Sequence, residues 1–466
     1  MYSAADGATP IYAPNGGRPP RPAGKAERLV TMDVLRGFAL LGILVLNIDS
    51  FFGPESLHDI PMGVAKAAFV GWHAQLDYCI LTVKWLFFEG KMRAMFAMLF
   101  GAGCVLLTER IERQGNPSRA ADIFARRNMW LVLFGLIHGA LIWSGDILSG
   151  YGLCALLFIY PLRNIRPKLL IGVGTFITLV FATWGLAVFT DAANVLRADT
   201  LARQAVAAKA EGRVPSVAQQ AALDAEIKAK REEPGNIAEQ VKQSRQPYLE
   251  GLSHRADGYF AMVLAQLRSL FIVEYLGLMM LGMGLFKSGF LSGRLSTRTY
   301  VMTALVSYGI SVPVALVGVF NAAQTGFSPG GVMRWMYLPY YLQVLPGMIG
   351  NASLVLLIVC HGWLAPLTRS LANVGRTAFS NYILTSLICQ TLFVWGPWKL
   401  YGTLEYYQQL YVVGGVWVVN LVASALWLRF FAYGPLEWVW RSLTYWKRQP
   451  LTLSAARTAR LGALFP

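Results

Sequence analysis

The chain has 466 residues, 55% of them hydrophobic and only 14% charged, where a soluble protein carries nearer a quarter charged residues. Such a composition excludes a water-soluble globule and makes a bilayer the solvent of most of the surface. The net charge of +16 does not mark a nucleic-acid binder, because no compact basic module with interleaved aromatics is present. Lys and Arg concentrate instead in the N-terminal tail, in residues 110–127, 163–168, 287–298 and 369–376, and after Arg429. Those are alternate loops, the positive-inside pattern. The expectation is an all-α integral membrane protein of about ten transmembrane helices, with both termini cytoplasmic and a helical extracytoplasmic insert.

In chain order, residues 1–28 form a Pro/Gly/Ala-rich cytoplasmic tail expected to be disordered, and no signal-peptide cleavage pattern follows it. The N-terminal transmembrane region, 29–190, opens with a span at 34–52, followed by a loop and an amphipathic approach helix. Spans are expected next at 92–107, 129–143, 147–160 and 168–190. Ser144, Gly145 and Asp146 leave room only for a tight turn, so 129–160 reads as a helical hairpin. Residues 191–258 change character to Ala-rich, charge-balanced and helix-favouring sequence, read as the extracytoplasmic insert. Residues 259–445 supply further spans at 259–286, 300–320, 341–360, 379–395 and 410–431, and 446–466 form a basic cytoplasmic tail. Gly-rich stretches such as 277–284 permit helix association within a chain or between chains, so a homodimer stays open.

A charge near the centre of a spanning helix costs roughly 2.5 to 3.5 kcal/mol on insertion scales, so each polar residue there requires an account. His138 is flanked by Phe134, Gly135, Gly139 and Ile142, with no local partner. Helical spacing puts Asp146 on a similar face, about 12 Å further along the axis. A neutral imidazole there can take a proton from a hydroxyl or amine, and a carboxylate can support the cation formed. Asp146 can equally cap the following helix. His73, before Asp77, is the rival base. Glu89 stands four residues before Arg93 and offers Lys91 and Arg93 a plain ion pair, although both could bind a polar substrate. Glu274 needs a partner from another helix. Asn47 lies near the far end of the first span, while Asp33 and Arg36 sit at its cytoplasmic end. With five dispersed histidines and no HExxH, GxSxG, Walker or EF-hand pattern, no metal site is expected.

Several segments together resemble the YeiB-like family of bacterial membrane proteins, a domain of unknown function. They are Asp33 to Gly37 through Leu46 and Asn47, Gly90 and Lys91 with residues 96–103, and 134–139 with Trp143 to Tyr151. Arg255 to Asp257, Gly375 and Arg376 with Asn381 and Tyr382, and Gly434 to Trp438 complete the set. The opening motif is more distantly similar to the membrane acyltransferase group, which includes heparan-glucosaminide N-acetyltransferase and the acyltransferase 3 proteins.

That resemblance implies a multi-pass protein of the bacterial inner membrane. It would move an acetyl or similar small acyl group from cytoplasmic acyl-CoA, most often acetyl-CoA, to a hydroxyl or amine of an extracytoplasmic glycan or lipid. Arg36, Arg126, Arg127 and Arg376 would meet the donor's phosphates, and Asp33 would belong to the same cofactor site. His138 and Asp146 would be catalytic, and Asn47, Lys91, Arg93, Trp143, Tyr151 and Glu274 would contact substrate. The heparan enzyme's histidine precedes its second span, a position closer to His73 here, so the base stays open between the two. The alternatives are a transporter for a small anionic or amphipathic solute, with Lys91, Arg93, Glu274 and His138 along its path, and a non-catalytic lipid-binding subunit docking through its insert. Membrane lipids are partners in every case, and nucleic acid in none.

Overall fold

The computed structural model describes residues 30–54, 71–113, 117–270 and 272–456. The expected tail at 1–28 and the last residues of the 446–466 tail lie outside these. The protein is an all-α integral membrane protein. Among the described residues, seven helices are long and apolar enough to cross a bilayer: Val30–Phe52, Ala74–Glu112, Pro167–Phe189, Thr297–Gln324, Tyr340–Cys360, Ala378–Trp395 and Tyr406–Phe430.

Three of the ten expected spans are absent from that set for physical reasons. The helix Pro117–Ile137 carries Arg119, Asp122, Arg126 and Arg127 in its first half, which dilutes its apolar stretch. The apolar helix Leu148–Leu162 is short. The expected 259–286 span is two helices, Leu252–Arg268 and Val273–Lys287, bent by 70° where Leu270 adopts a left-handed φ of 57°. The approach helix is present as Ala74–Val83, running through a π-helical turn at Lys84–Phe88 toward Lys91–Glu112.

The elements that position the site are α1 (Val30–Phe52), α2 (Lys91–Glu112), α3 (Pro117–Ile137), α4 (Leu148–Cys154), α5 (Val273–Lys287), α6 (Ala365–Arg376), α7 (Ala378–Gln390) and α8 (Pro435–Tyr445). The basic loops gather at one end of the bundle, where Arg163 Nε donates to Glu112 Oε1 (2.9 Å), Lys287 Nζ to the Ile165 carbonyl (3.0 Å) and Thr31 Oγ1 to the Leu291 carbonyl (3.0 Å). The insert, folded as Ala192–Ala210 and Val217–Ser244, closes the opposite end. There Tyr248 donates to the Leu141 carbonyl (2.9 Å), Arg245 Nε to the Tyr401 carbonyl (3.1 Å), and Gly402 N–H to the carbonyl of Phe52 at the end of α1 (2.7 Å).

Close backbone approach holds the bundle together, as van der Waals packing must where lipid supplies no hydrophobic drive between helices. A Cβ on Gly375 would stand 1.8 Å from the Asp33 carbonyl oxygen, and one on Gly37 2.0 Å from that of Leu371, so α1 and α6 touch backbone to backbone. Gly282 does the same for α5 against Met98 on α2, at 1.8 Å. The small-residue run at 277–284 is thus used inside the chain. Gly375→Val forces two backbones apart, and overpacking ordinarily costs about 1–3 kcal/mol. The variant should melt well below wild type in detergent by fluorescence-detected size exclusion. Gly172→Val, where a Cβ meets nothing within 4 Å, should melt with it.

Candidate functional site: an arginine-lined cavity beside a buried histidine

The hairpin places His138. The helix α3 gives way at His138–Ile142 to a π-helical turn, closed by Trp143 N–H donating to the His138 carbonyl (2.9 Å). Such widened turns recur at functional sites. Trp143 is then extended and stacks on Phe51 with ring centroids 4.3 Å apart, and the chain turns back through Ser144, Gly145 and Asp146 into α4. The expected 12 Å between His138 and Asp146 is therefore not what forms. Asp146 lies beyond the end of the helix, and the reversal brings its Oδ1 to 3.0 Å from His138 Nδ1, both side chains buried. Its Oδ2 accepts the Ser149 backbone N–H at 2.9 Å, so Asp146 also caps α4.

A carboxylate only accepts, so Nδ1 carries the imidazole proton toward Asp146 and Nε2 is left as an acceptor. Nε2 faces Ser386 Oγ of α7 at 3.0 Å. Ser386 is the site residue that the sequence does not announce: a lone hydroxyl in an apolar span, 248 positions from its partner. The ring of Tyr382, one helical turn earlier, lies 5.0 Å from that of His138.

A cavity of about 230 Å³ runs from the basic end toward this pair. Arg36, Arg110, Arg127, Arg376 and Arg441 line it together with Asp33 and Glu437. Phe96, Leu99, Phe100 and Leu131 form apolar wall, and Leu148, Tyr151 and Tyr382 lie on the hairpin and α7 side. Both carboxylates are already engaged. Asp33 Oδ1 accepts from Arg36 at 3.1 Å. Glu437 accepts the Phe379 (2.7 Å) and Ser380 (3.2 Å) backbone N–H groups and the Ser380 hydroxyl, holding the N-terminus of α7. Burial pushes the Glu437 carboxyl up from its ordinary range against those hydrogen bonds, and burial lowers the Arg376 guanidinium, offset by Asp33. Arg127 lies over the Trp440 ring, 3.9 Å from its centroid. The cavity lining carries an excess of guanidinium.

Of the residues expected from sequence, Asp33, Arg36, Arg127, Arg376 and Tyr151 line this cavity, and Trp143 packs edge-on to His138 with centroids 6.2 Å apart. Arg126 does not line it, pairing instead with Asp122 at 2.7 Å. Arg93 pairs across helices with Glu274 rather than with Glu89, which accepts from Tyr340 at 2.7 Å. Lys91 is fully buried, donating to the Trp85 carbonyl (2.8 Å) and to Gln343. Asn47, Lys91, Arg93 and Glu274 are not in the cavity wall, although Tyr151 ties Arg93 to it by donating to that residue's carbonyl (3.1 Å). His73 belongs to a separate cluster, with Nδ1 2.6 Å from Asp77 Oδ2 and Nε2 3.6 Å from Glu405, beside the exposed Trp72. Among the described residues, no three His, Cys, Asp or Glu side chains gather as a metal site.

The fold and site define a multi-helix membrane protein with an arginine-lined cavity separated from a buried acid–imidazole pair by the Tyr382 ring. The chain belongs to the family of the uncharacterized protein YeiB of Escherichia coli (strain K12), with which it is 31% identical over 429 residues, covering 90% of this chain and 96% of that protein. It is 27% identical to the uncharacterized protein YxaH of Bacillus subtilis (strain 168), over 91% of this chain and 96% of that one. Residues 285–447 match the family described as a protein of unknown function (DUF418), a stretch that includes Arg376, Tyr382, Ser386, Glu437 and Arg441. No solved structure matches.

The pair is tightly seated, because a Cβ on Gly135 would lie 2.2 Å from the Ser149 nitrogen and 2.7 Å from Asp146 Oδ2. Gly135→Ala should therefore cost about 1–3 kcal/mol of stability. Differential scanning fluorimetry in detergent should show a lower melting temperature, with Gly172→Ala unchanged.

Proposed function

We propose that this protein is a membrane acyltransferase, taking a small acyl group from acyl-CoA at the arginine-lined end and delivering it to a hydroxyl or amine of an envelope glycan or lipid. The observation that carries the reading is one cavity joining an excess of arginines to the wall beside His138 and Asp146. Five arginines against two carboxylates on one cavity wall are more cation than a one-to-one ion-pair network uses.

The residues present fit such a donor. Guanidinium forks match phosphate oxygens in charge and in planar geometry, and Arg36, Arg110, Arg127, Arg376 and Arg441 would hold the phosphates. The apolar wall of Phe96, Leu99, Phe100 and Leu131 suits a thioester arm rather than a nucleotide. At about 230 Å³ the space is below the roughly 300–1,000 Å³ of sites that enclose a whole drug-sized ligand, which keeps the bulkier nucleotide toward the mouth. The donor supplies an activated acyl carbon. His138 takes and returns a proton at Nε2, and Asp146 holds the ring in that tautomer and stabilises the imidazolium as it forms. The aromatic and aliphatic lining excludes water, which favours transfer over hydrolysis.

Acetyl-CoA should raise the melting temperature of the purified protein. Arg127→Gln or Arg376→Gln should weaken that binding by at least about tenfold, since hydrogen bonds between charged groups are worth about 1.5–3 kcal/mol each. His138→Ala should abolish transfer to the envelope acceptor while leaving the acetyl-CoA shift intact, and His73→Ala should keep both. No shift with acetyl-CoA, together with a shift from a transported anionic solute, would instead favour a permease.

A further inference from the structure

Both ring nitrogens of His138 are committed. Nδ1 faces Asp146 Oδ1 and Nε2 faces Ser386 Oγ, each at 3.0 Å. With Nδ1–H donated to the carboxylate, Nε2 can accept one proton, and the hydroxyl in place to give it is Ser386. The Ser386 hydroxyl has a weaker alternative acceptor in the Tyr382 carbonyl, at 3.3 Å along its own helix. Asp146 is in turn fixed by the Ser149 N–H. Acid, imidazole and hydroxyl thus stand in line with the acid oriented by a third group, the arrangement that activates a serine nucleophile on unrelated folds.

Position supports the same reading. Ala378, Tyr382 and Ser386 are spaced by four on α7 and share one stripe, and the first two line the cavity. Ser386 is the next residue along that stripe, 2% exposed, one turn past the cavity wall. The Tyr382 hydroxyl donates to the Gly145 carbonyl at 3.4 Å, which anchors this side chain of the cavity wall one turn before the serine.

We propose that Ser386 is the nucleophile and that transfer proceeds through an acyl-serine, a step that rests on the acyltransferase reading above. In the first half-reaction the Ser386 oxygen bonds to the thioester carbonyl carbon and its proton passes to His138 Nε2. The carbon–sulfur bond breaks, and the leaving thiolate takes that proton and departs as the free thiol. In the second, the acceptor hydroxyl or amine attacks the ester carbon and gives its proton to Nε2. The carbon–oxygen bond to Ser386 breaks, and the serine recovers the proton. The acyl group reaches the serine past the Tyr382 ring, one turn earlier on the same stripe, and the buried setting protects the ester from water.

The test uses the full-length protein in nanodiscs with acetyl-CoA radiolabelled in the acetyl group, without acceptor, followed by denaturation and washing. Wild type should retain covalent label on a peptide containing Ser386. Ser386→Ala should lose the label and at least about 1,000-fold of transfer rate, while still gaining melting temperature with acetyl-CoA. Ser386→Cys should carry the label as a thioester that neutral hydroxylamine releases, a signature no positioning role produces. Unlabelled wild type, whether Ser386→Ala transfers or not, would overturn the acyl-serine while leaving the transferase reading in place. Failure of wild type to bind acetyl-CoA at all would remove both.

Discussion

A bilayer core gives a polar side chain no water, so every buried charge in this bundle must find its partner in the protein. The consequences run through the whole structure. Asp49 pairs with Lys84, Arg93 with Glu274, Lys91 with Gln343, and His138 with Asp146 and Ser386. Each of these ties distant stretches of chain, and the close glycine contacts between α1 and α6 and between α2 and α5 let the helices come near enough to form them. Around the cavity the two signs are unequal in number, with five arginines and two carboxylates in its lining. Asp33 pairs with Arg36 and Glu437 holds the N-terminus of α7, so in number the lining keeps a positive surplus.

That surplus gives the membrane assignment a direction. Alternating loop charge orients the sequence, and the fold collects the same basic loops at one end, where the cavity lies. The insert closes the other end through Tyr248 and Arg245. His138 sits between the two ends, beside Tyr382, with the insert attached at Leu141 a few residues further on. On the proposed transferase reading, a donor entering from the basic end and an acceptor arriving from the insert side would meet at this histidine.

Much of this was legible in sequence because the bilayer writes strong signals. Hydropathy and loop charge give the helical membrane fold, and the insert is visible as a compositional break between 191 and 258. The cost of burying a charge marks His138 and Glu274 as residues needing partners. What the sequence does not carry is which partner each one finds. Arg93 has Glu89 one helical turn away, yet pairs with Glu274, 181 positions on. The His138 to Asp146 separation is misjudged by a straight helix, because a π-helical turn and an extended Trp143 reverse the chain. Ser386 has no local pattern, since a hydroxyl in an apolar helix can bond its own backbone at no visible cost. Likewise the 70° break near Leu270 has no Gly or Pro to announce it.

The central claim is that one cavity connects the arginines to the histidine pair and receives an acyl-CoA. It is tested most directly by electron cryomicroscopy of the full-length protein in nanodiscs with a non-hydrolysable thioether analogue of acetyl-CoA. The account predicts density with phosphates against Arg36, Arg127 and Arg376 and the arm directed past Phe100 toward Tyr382. Density at the His73 cluster instead, or an empty cavity at saturating analogue, would contradict it.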